Sequence, residues 1–252
     1  MSELFKGQKG YVLSGQGALF GHAEVVGFGT DIFHVKVISR DKANALIVKN
    51  HYSKKFYSAS YIHLGVFAND KIMGVLQFGY AMNPTSQNGV VEGTEPDEYL
   101  ELNRMWLDDS LPRNGESLAI SYAIKFIKRV YPKIKWIQSF ADERCNMFGI
   151  VYQAANFVYC GEHTATFWTL DDVVYHNSLM SRDPKLSKSA AYIQANKERA
   201  TSQELRQFRY IFFINKGVMK NLKLKVQPYP KYYGQERGLT MLAADGATRA
   251  EN

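Results

Sequence analysis

The chain has 252 residues, of which 46% are hydrophobic and 13% aromatic, and its net charge is +7. This length and composition are typical of one globular domain or one domain plus an extension, and they exclude general disorder and a low-complexity scaffold. No run approaches ~18 uncharged apolar residues and no basic segment precedes an apolar block at the start, so we expect a cytoplasmic protein without membrane contact.

Alternation of apolar residues and turn signals predicts an ordered series of elements. In chain order these are short hairpins in the first 30 residues, a strand from Phe33, a helix from Asp41 that ends before His51, a hairpin of strands at 62–67 and 72–80, a strand at 99–107, a helix at 117–130, a strand at 136–141, a helix at 146–155 and a strand at 157–170. A polar helix and an aromatic strand at 208–213 follow. The order indicates an α/β fold with a mixed sheet flanked by helices.

The positive charge is confined to the last part of the chain. Residues 1–180 contain 17 Lys and Arg against 18 Asp and Glu, whereas residues 181–252 contain 14 against 6. We predict a Gly-rich N-terminal embellishment over residues 1–32, a catalytic domain over 33–180 and a basic, aromatic C-terminal extension over 181–252. Such an extension usually contacts a polyanion, the alternative being a solubilising tail.

Arg104 lies in the predicted strand 99–107. A period of two places it on one face with Leu100, Leu102 and Trp106. A buried guanidinium is costly unless it is paired, so we expect it to face a carboxylate, a phosphate or a substrate oxygen. A purely structural ion pair is the alternative.

The segment Arg113-Asn114-Gly115-Glu116-Ser117 directly precedes a predicted helix. Its free backbone N–H groups, its small hydroxyl and the charge of Arg113 suit an anion such as a pyrophosphate. Arg113, Asn114, Gly115 and Ser117 are therefore the candidate cofactor-binding residues, and a plain capping loop is the alternative.

Three further residues are candidates for chemistry. Asp142 follows a buried strand, where a carboxylate often faces a cleft, and we expect it to reach Arg104 or an acceptor amine; the alternative is a helix start with an acidic first turn. Tyr152 lies in a predicted helix, and a phenol there can protonate a leaving group or simply be packed. His51 is titratable near neutral pH. No His, Asp and Glu cluster has metal-ligand spacing, so no metal is predicted.

An anion-holding turn before a long helix, followed by the pattern Tyr152-x-x-x-Asn156-Phe157, resembles the GNAT acyltransferase fold. That family binds the pyrophosphate of coenzyme A at the turn and has Gly at the position of Asn156. Asn also tolerates the left-handed conformation, so it can replace Gly there. The turn departs further from the family: either Glu116 stands where a Gly is usual, or the turn is one residue shorter and Gly115 has that role.

Five longer strings carry a closer resemblance that covers most of residues 45–180. They are ELNRMWLDD (101–109), PRNGES (112–117), QSFADERC (138–145), VYQAANF (151–157) and CGEHT (160–164). These strings resemble the Mom family, the adenine-modifying proteins of Mu-like phages. The resemblance implies an enzyme of the host cytoplasm that converts the adenine amino group of DNA to N6-carbamoylmethyl and so protects phage DNA from restriction. The functional positions that it implies are His51, Arg104, Ser117, Asp142 and Tyr152.

The implied product restricts the donor, because a carbamoylmethyl group contains one nitrogen more than an acetyl group supplies. Acetyl coenzyme A alone is therefore insufficient, and we expect either a related acyl thioester or a glycyl carrier such as glycyl-tRNA. The target base of the double-stranded DNA must leave the stack. Phosphate contacts and base stacking are expected from the C-terminal residues Lys223, Lys225, Lys231, Tyr232 and Tyr233.

Two alternative functions stay open. A SAM-dependent adenine methyltransferase is indicated by Gly15-x-Gly17 and by Asn83-Pro84-Thr85, a partial amine-binding loop that lacks the second proline and the aromatic residue. The other alternative is a noncatalytic DNA-binding module on a GNAT-like core. The mass of the modified base would identify a methyltransferase. DNA that is bound but left unmodified would indicate the noncatalytic module.

Overall fold

A computed structural model describes residues 3–14, 23–145 and 148–231. In these ranges ten strands form one sheet: β1 Gly10–Ser14, β2 Glu24–Gly29, β3 Phe33–Val37, β4 Ser60–Ala68, β5 Lys71–Gly79, β6 Tyr99–Leu107, β7 Trp136–Asp142, β8 Val158–Leu170, β9 Val173–His176 and β10 Thr201–Phe213. The α-helices of the same ranges are α1 Arg40–Asn50, α2 Gly115–Val130, α3 Ile150–Ala154 and α4 Lys188–Ala195. The predicted α/β class with a mixed sheet is confirmed. No helix in the described ranges is long and apolar enough to cross a membrane.

The strands lie in the order β1-β2-β3-β4-β5-β6-β7-β10-β8-β9. Among the described strands β6 and β7 are the one parallel pair, and they pair only over residues 99–101 and 136–138. Beyond these residues β6 stays paired with β5 as far as Leu107, and β7 stays paired with β10 as far as Asp142. The two parallel strands therefore diverge toward their C-terminal ends and leave a gap in the sheet.

The helices cover the two faces of the sheet. On the face that we call the α1 face, Ala43 and Ile47 of α1 pack against Val75 and Trp106. On the opposite face, the α2 face, the apolar stripe of α2 packs with α3 and with strand residues such as Leu100 and Ile137. This helix was predicted over 117–130, and α2 ends at Val130, before Pro132, which cannot continue a helix.

A β-bulge in β6 corrects one prediction about Arg104. Two consecutive residues of β5 pair with Leu102 and Arg104, which leaves Asn103 as an extra residue. A bulge of this kind reverses the alternation of side chains. Leu100 and Leu102 therefore face α2, whereas Arg104 and Trp106 lie on the α1 face. The prediction that all four share a face is wrong, because the period of two does not continue across the bulge.

Most other predicted elements are confirmed within one or two residues, with three exceptions. Strand β10 begins at Thr201, well before the predicted strand 208–213. Helix α3 begins at Ile150 and is shorter than the predicted helix 146–155. Strand β9 was missed, because its four residues are too few for a clear pattern. Its signal was the turn Asp171-Asp172, where both residues have left-handed φ values, 49° and 59°, as in a tight hairpin.

Strand β10 lies between β7 and β8 although it follows both in the chain. The predicted boundary at residue 180 thus falls before a strand of the central sheet. Residues 222–231, which follow β10 and which we call the C-terminal segment, also pack against the sheet. Leu222 and Leu224 contact the cluster around Tyr99 and Trp136, and the backbone N–H of Gln227 donates to the Tyr159 carbonyl at 2.9 Å.

Candidate active site

The C-terminal edge of the diverging strands carries most of the candidate residues. Asp142 is the last residue of β7, and the loop that follows β6 leads directly into α2. Because parallel strands end at the same edge of a sheet, the N terminus of α2 and Asp142 both lie at the edge where the gap between β6 and β7 opens. This edge is therefore the candidate active site.

Asp142 is a buried carboxylate that is held by Arg144. Its Oδ1 accepts from the backbone N–H and Nε of Arg144 at 3.0 and 2.8 Å, and its Oδ2 accepts from Nη2. Burial alone would raise the pKa of Asp142, but the hydrogen bonds and the charge of Arg144 outweigh it and lower the pKa. Asp142 is thus ionised, and it accepts hydrogen bonds better than it accepts a proton. The expected contact with Arg104 is replaced by this ion pair.

His51 follows α1 and is 7% exposed. Its Nδ1 accepts from the backbone N–H of Ser53 at 3.1 Å, and its ring packs against that of Tyr52 with 4.2 Å between centroids. Burial, followed by the positive charges of Arg104 and Arg144, lowers the pKa of His51 to about 3. The imidazole is therefore neutral and a weak base.

Arg104 bonds to backbone carbonyls. Its Nε donates to the Lys55 carbonyl at 3.1 Å and its Nη1 donates to the Asn103 carbonyl at 2.7 Å. The guanidinium lies 5.7 Å from the ring centre of Tyr57. Among the described residues no carboxylate lies within ion-pair distance of Arg104, so its charge is available to an anionic or oxyanionic ligand.

Glu101 is a site residue that the sequence analysis missed. Its carboxylate accepts from Asn103 Nδ2 at 3.1 Å and from Gln138 Nε2 at 2.9 Å, which links β6 to β7 beside the gap. Burial raises the pKa of Glu101, although these bonds and the charges of Arg104 and Arg209 oppose the rise. The signal in the sequence was a glutamate between Leu100 and Leu102 in an otherwise apolar strand segment. Glu101 and Asp142 thus have opposite pKa shifts, which suits them to different roles.

The predicted anion-holding turn forms the N terminus of α2. Asn114 has a left-handed φ of 71°, and Gly115 is buried so closely that an added Cβ would lie 3.2 Å from the Leu111 Cβ. The Ser117 hydroxyl donates to the Asn114 carbonyl at 3.1 Å, while Arg113 is exposed. The first turn of α2 leaves backbone N–H groups without helical partners, and these groups suit an anion.

Tyr152 is in α3, as predicted, and it is buried on the α2 face. Its ring packs against those of Phe157 and Tyr210, with centroids 5.6 and 5.4 Å away. Asn156, which ends this turn, has a φ of 64°, which confirms the predicted left-handed residue. The structure therefore divides the five catalytic candidates between two faces, with His51, Arg104 and Asp142 on the α1 face and Ser117 and Tyr152 on the α2 side of the gap.

Three of the five predicted DNA-binding residues lie in the described ranges. Lys223 forms an ion pair with Glu92 at 3.2 Å, and Lys225 and Lys231 are exposed. Tyr232 and Tyr233 lie outside the described residues, as do Gly15 and Gly17 of the methyltransferase alternative. The Asn83-Pro84-Thr85 loop leads into a short 3-10 helix, Pro84–Gly89. Within the described ranges no group of three His, Cys, Asp or Glu residues is arranged to hold a metal ion.

The family of the chain follows from comparison with known proteins. The model of the Mom protein family matches residues 32–231. The chain belongs to the Mom family. It is also 49% identical over 211 residues to "Methylcarbamoylase mom" of Escherichia phage Mu, an alignment that covers 82% of this chain and 88% of that Mom protein.

Solved structures that resemble this Mom family member are acetyltransferases. The ribosomal-protein-S5-alanine acetyltransferase of Vibrio fischeri matches with a TM-score of 0.45 and 12% identity, over 76% of this chain and 98% of that one. Arabidopsis thaliana NAA60, solved with a bisubstrate analogue, matches with a TM-score of 0.46 and 7% identity, over 72% and 97%.

Proposed function

We propose that this Mom family protein converts the N6 amino group of adenine in double-stranded DNA to an N6-carbamoylmethyl group. The modification protects phage DNA from restriction in the host cytoplasm. The observation that carries the proposal is the 49% identity to a phage methylcarbamoylase over most of both chains. The carboxylates and cations at the gap between β6 and β7 supply groups that this chemistry needs.

The acceptor side of the reaction lies on the α1 face. The exocyclic amine of adenine is a poor nucleophile because its lone pair is delocalised into the ring, so it must be oriented and must lose a proton. Asp142 is ionised and held by Arg144, and its carboxylate orients the N6 hydrogens. Glu101 has a raised pKa, which suits it to accept the proton.

The donor side uses the N terminus of α2 and the gap. Backbone N–H groups near Ser117, together with Arg113, Asn114 and Gly115, hold the anionic part of the donor. Arg104, whose charge no described carboxylate neutralises, stabilises the oxyanion that forms at the donor carbonyl. Tyr152 protonates the leaving group from the α2 face. His51 stays neutral and positions the loop that follows α1.

A glycyl donor accounts for every atom of the product. The N6 amine attacks the glycyl carbonyl, the carrier leaves with a proton, and an N6-glycyl amide forms. The free glycine amine then attacks C6 through a five-membered ring. The bond from C6 to the original N6 breaks, and that nitrogen becomes the terminal amide. A glycyl-tRNA or a glycyl thioester can both supply the activated carbonyl.

Nitrogen labelling tests this route. We expect that 15N-glycine given to cells which express the protein places the label on the nitrogen bonded to C6. Fragmentation of the modified nucleoside in a mass spectrometer separates the two nitrogens. Label found only in the terminal amide would exclude the rearrangement, and unlabelled product would exclude glycine as the source.

Expression in a bacterial host, followed by mass analysis of nucleosides from total DNA, tests the function itself. Wild type is expected to give carbamoylmethylated adenine, and Asp142→Asn and Glu101→Gln are each expected to reduce its level by roughly 100-fold or more. Glu24→Gln, an exposed substitution on β2, is the matched control and should behave as wild type. A methyl group instead would support the methyltransferase alternative, and unmodified DNA would contradict the proposal.

A further inference from the structure

The end of α1 and the first part of the segment that leads to β4 combine positive charge with exposed aromatic rings. Residues 49–57, which we call the basic aromatic loop, contain Lys49, Lys54 and Lys55 and no acidic residue. Tyr52 and Phe56 are 50% and 49% exposed. Lone exposed aromatics are ordinary, but two of them among three lysines form the combination that binds nucleic acid.

The basic aromatic loop is fixed to the candidate active site at several points. Arg104 donates to the Lys55 carbonyl at 3.1 Å, and the loop contains His51. Lys55 Nζ donates to the Val174 carbonyl at 3.0 Å and lies 3.8 Å from the ring centre of Tyr175. The loop therefore extends from Arg104 to the β8–β9 hairpin across the α1 face, where the acceptor base must enter.

Phe56 projects outward between two inward neighbours. Lys55 on one side is held by the β8–β9 hairpin, and the half-buried ring of Tyr57 on the other side lies beside Arg104. Because both neighbours are anchored, the backbone at Phe56 is held in place and directs the side chain outward. An apolar ring that protrudes beside a candidate site for a base is the geometry of a wedge in the base stack.

Lys49 and Lys54 are placed to bind the backbone of the same nucleic acid. Lys54 Nζ donates to the Lys49 carbonyl at 2.8 Å, so the two residues are adjacent. Both are exposed, and in the described part of the chain neither lies within ion-pair distance of a carboxylate. Unneutralised lysines of this kind release counterions when they contact phosphates.

We propose that Phe56 enters the base stack of duplex DNA at the place vacated by the target adenine, and that Lys49 and Lys54 bind the flanking phosphates. The inference rests on the proposed function, since a base needs to be extruded only if its N6 is the acceptor. It adds a second DNA-contacting element to the one predicted at the C-terminal lysines.

Fluorescence of 2-aminopurine, which rises when the base leaves the stack, tests the wedge. The probes are duplexes with 2-aminopurine opposite thymine or opposite an abasic site, with randomised neighbouring pairs. We expect Phe56→Ala to lower extrusion opposite thymine by about tenfold and to act as wild type opposite the abasic site, where little stacking must be broken. Phe56→Trp should retain extrusion, as should Leu13→Ala, an exposed apolar control on β1.

Salt dependence of DNA binding tests the lysines. Lys49→Ala with Lys54→Ala should reduce the slope of log affinity against log salt by about 0.9 for each lost phosphate contact. Lys128→Ala with Arg129→Ala removes the same charge from exposed positions in the last turn of α2, at the opposite end of this helix from the candidate active site, and should leave the slope unchanged. Melting temperatures equal to that of wild type confirm that all variants are folded.

Several results would overturn the inference. Normal extrusion by Phe56→Ala opposite thymine removes the wedge, and an unchanged salt slope in the double lysine variant removes the phosphate contacts. If the Phe56→Ala or the double lysine variant loses tRNA binding while its base extrusion is normal, the basic aromatic loop binds the donor and not the DNA. If Phe56→Ala loses extrusion but cells that express the wild-type protein contain no modified adenine, the wedge stands and the proposed function fails. If Phe56→Ala extrudes the base normally and those cells do contain modified adenine, only the wedge is rejected.

Discussion

A histidine buried between two arginines is held in its neutral form. Around His51 the loss of hydration and the charges of Arg104 and Arg144 both disfavour the imidazolium, so its pKa falls to about 3. The backbone N–H of Ser53 donates to Nδ1, which also requires an unprotonated nitrogen there. The resemblance implied a functional role for His51, and we propose that its neutral imidazole positions the loop that follows α1.

The depressed pKa of His51 predicts a pH effect on stability. Between about pH 6.5 and about pH 3 the unfolded chain binds a proton at this histidine and the folded chain does not, so the free energy of unfolding falls as pH falls through this window. His51→Asn keeps an acceptor for the Ser53 N–H and should remove that part of the pH dependence. Chemical denaturation of both proteins at about pH 7.5, 6, 5 and 4 measures this pH dependence. Parallel curves would contradict the pKa shift.

At the scale of elements, the divergence of β6 and β7 opens the gap at which we propose that the chemistry takes place. Glu101 and Gln138 join the strands where they still pair, and Asp142 lies where they have separated. The bulge at Asn103 turns Arg104 toward the α1 face, so one extra residue places a cation on the same face as Asp142. In the proposed reaction, the gap separates the acceptor groups on this face from the N terminus of α2, which would hold the donor.

The C-terminal segment combines a packed side with a charged side. Leu224 contacts the cluster around Trp136, whereas Lys225 and Lys231 are exposed. We expect Leu224→Ala to lower the free energy of unfolding by about 1–2 kcal/mol, because the side chain is only half-buried. Lys225→Ala with Lys231→Ala should leave stability unchanged and weaken DNA binding at low salt. Thermal melting and fluorescence anisotropy measure the two effects, and unchanged DNA binding would reject the C-terminal contact.

At the scale of the whole molecule, the sheet is continuous through a strand from the last quarter of the chain. β10 pairs with both β7 and β8, and Phe208 and Tyr210 complete the core on the α2 face. Without β10, β7 would lose its antiparallel neighbour and β8 would be separated from the sheet. The basic extension predicted from charge therefore contains a structural strand as well as surface lysines.

This topology predicts that residues 33–180 do not fold alone. Removal of β10 exposes the edges of β7 and β8 and uncovers the buried aromatic cluster, which is incompatible with a stable domain. Circular dichroism and thermal melting of this fragment, with the full chain as the reference, should show no cooperative transition. A cooperative melt of the fragment would show that the domain limits predicted from composition are autonomous.

Several features could be predicted from local sequence because local physics determines them. The stripe of α2 and the αL residue Asn156 depend only on near neighbours, and both are confirmed. Arg104 was assigned to the wrong face because a bulge depends on how β5 and β6 pair. Glu101 was missed because its partner Gln138 is distant in the chain and its raised pKa arises only on burial.

The sequence by itself determined the family, the α/β class and most helix and strand positions, since motifs and apolar periods are properties of the chain. Only the tertiary structure decided that His51, Arg104 and Asp142 share one face while Tyr152 lies on the other, that Arg144 rather than Arg104 pairs with Asp142, and that β10 is interior. The physical reason is that strand pairing and desolvation act between residues far apart in the chain, and they set both the side-chain face and the charge state.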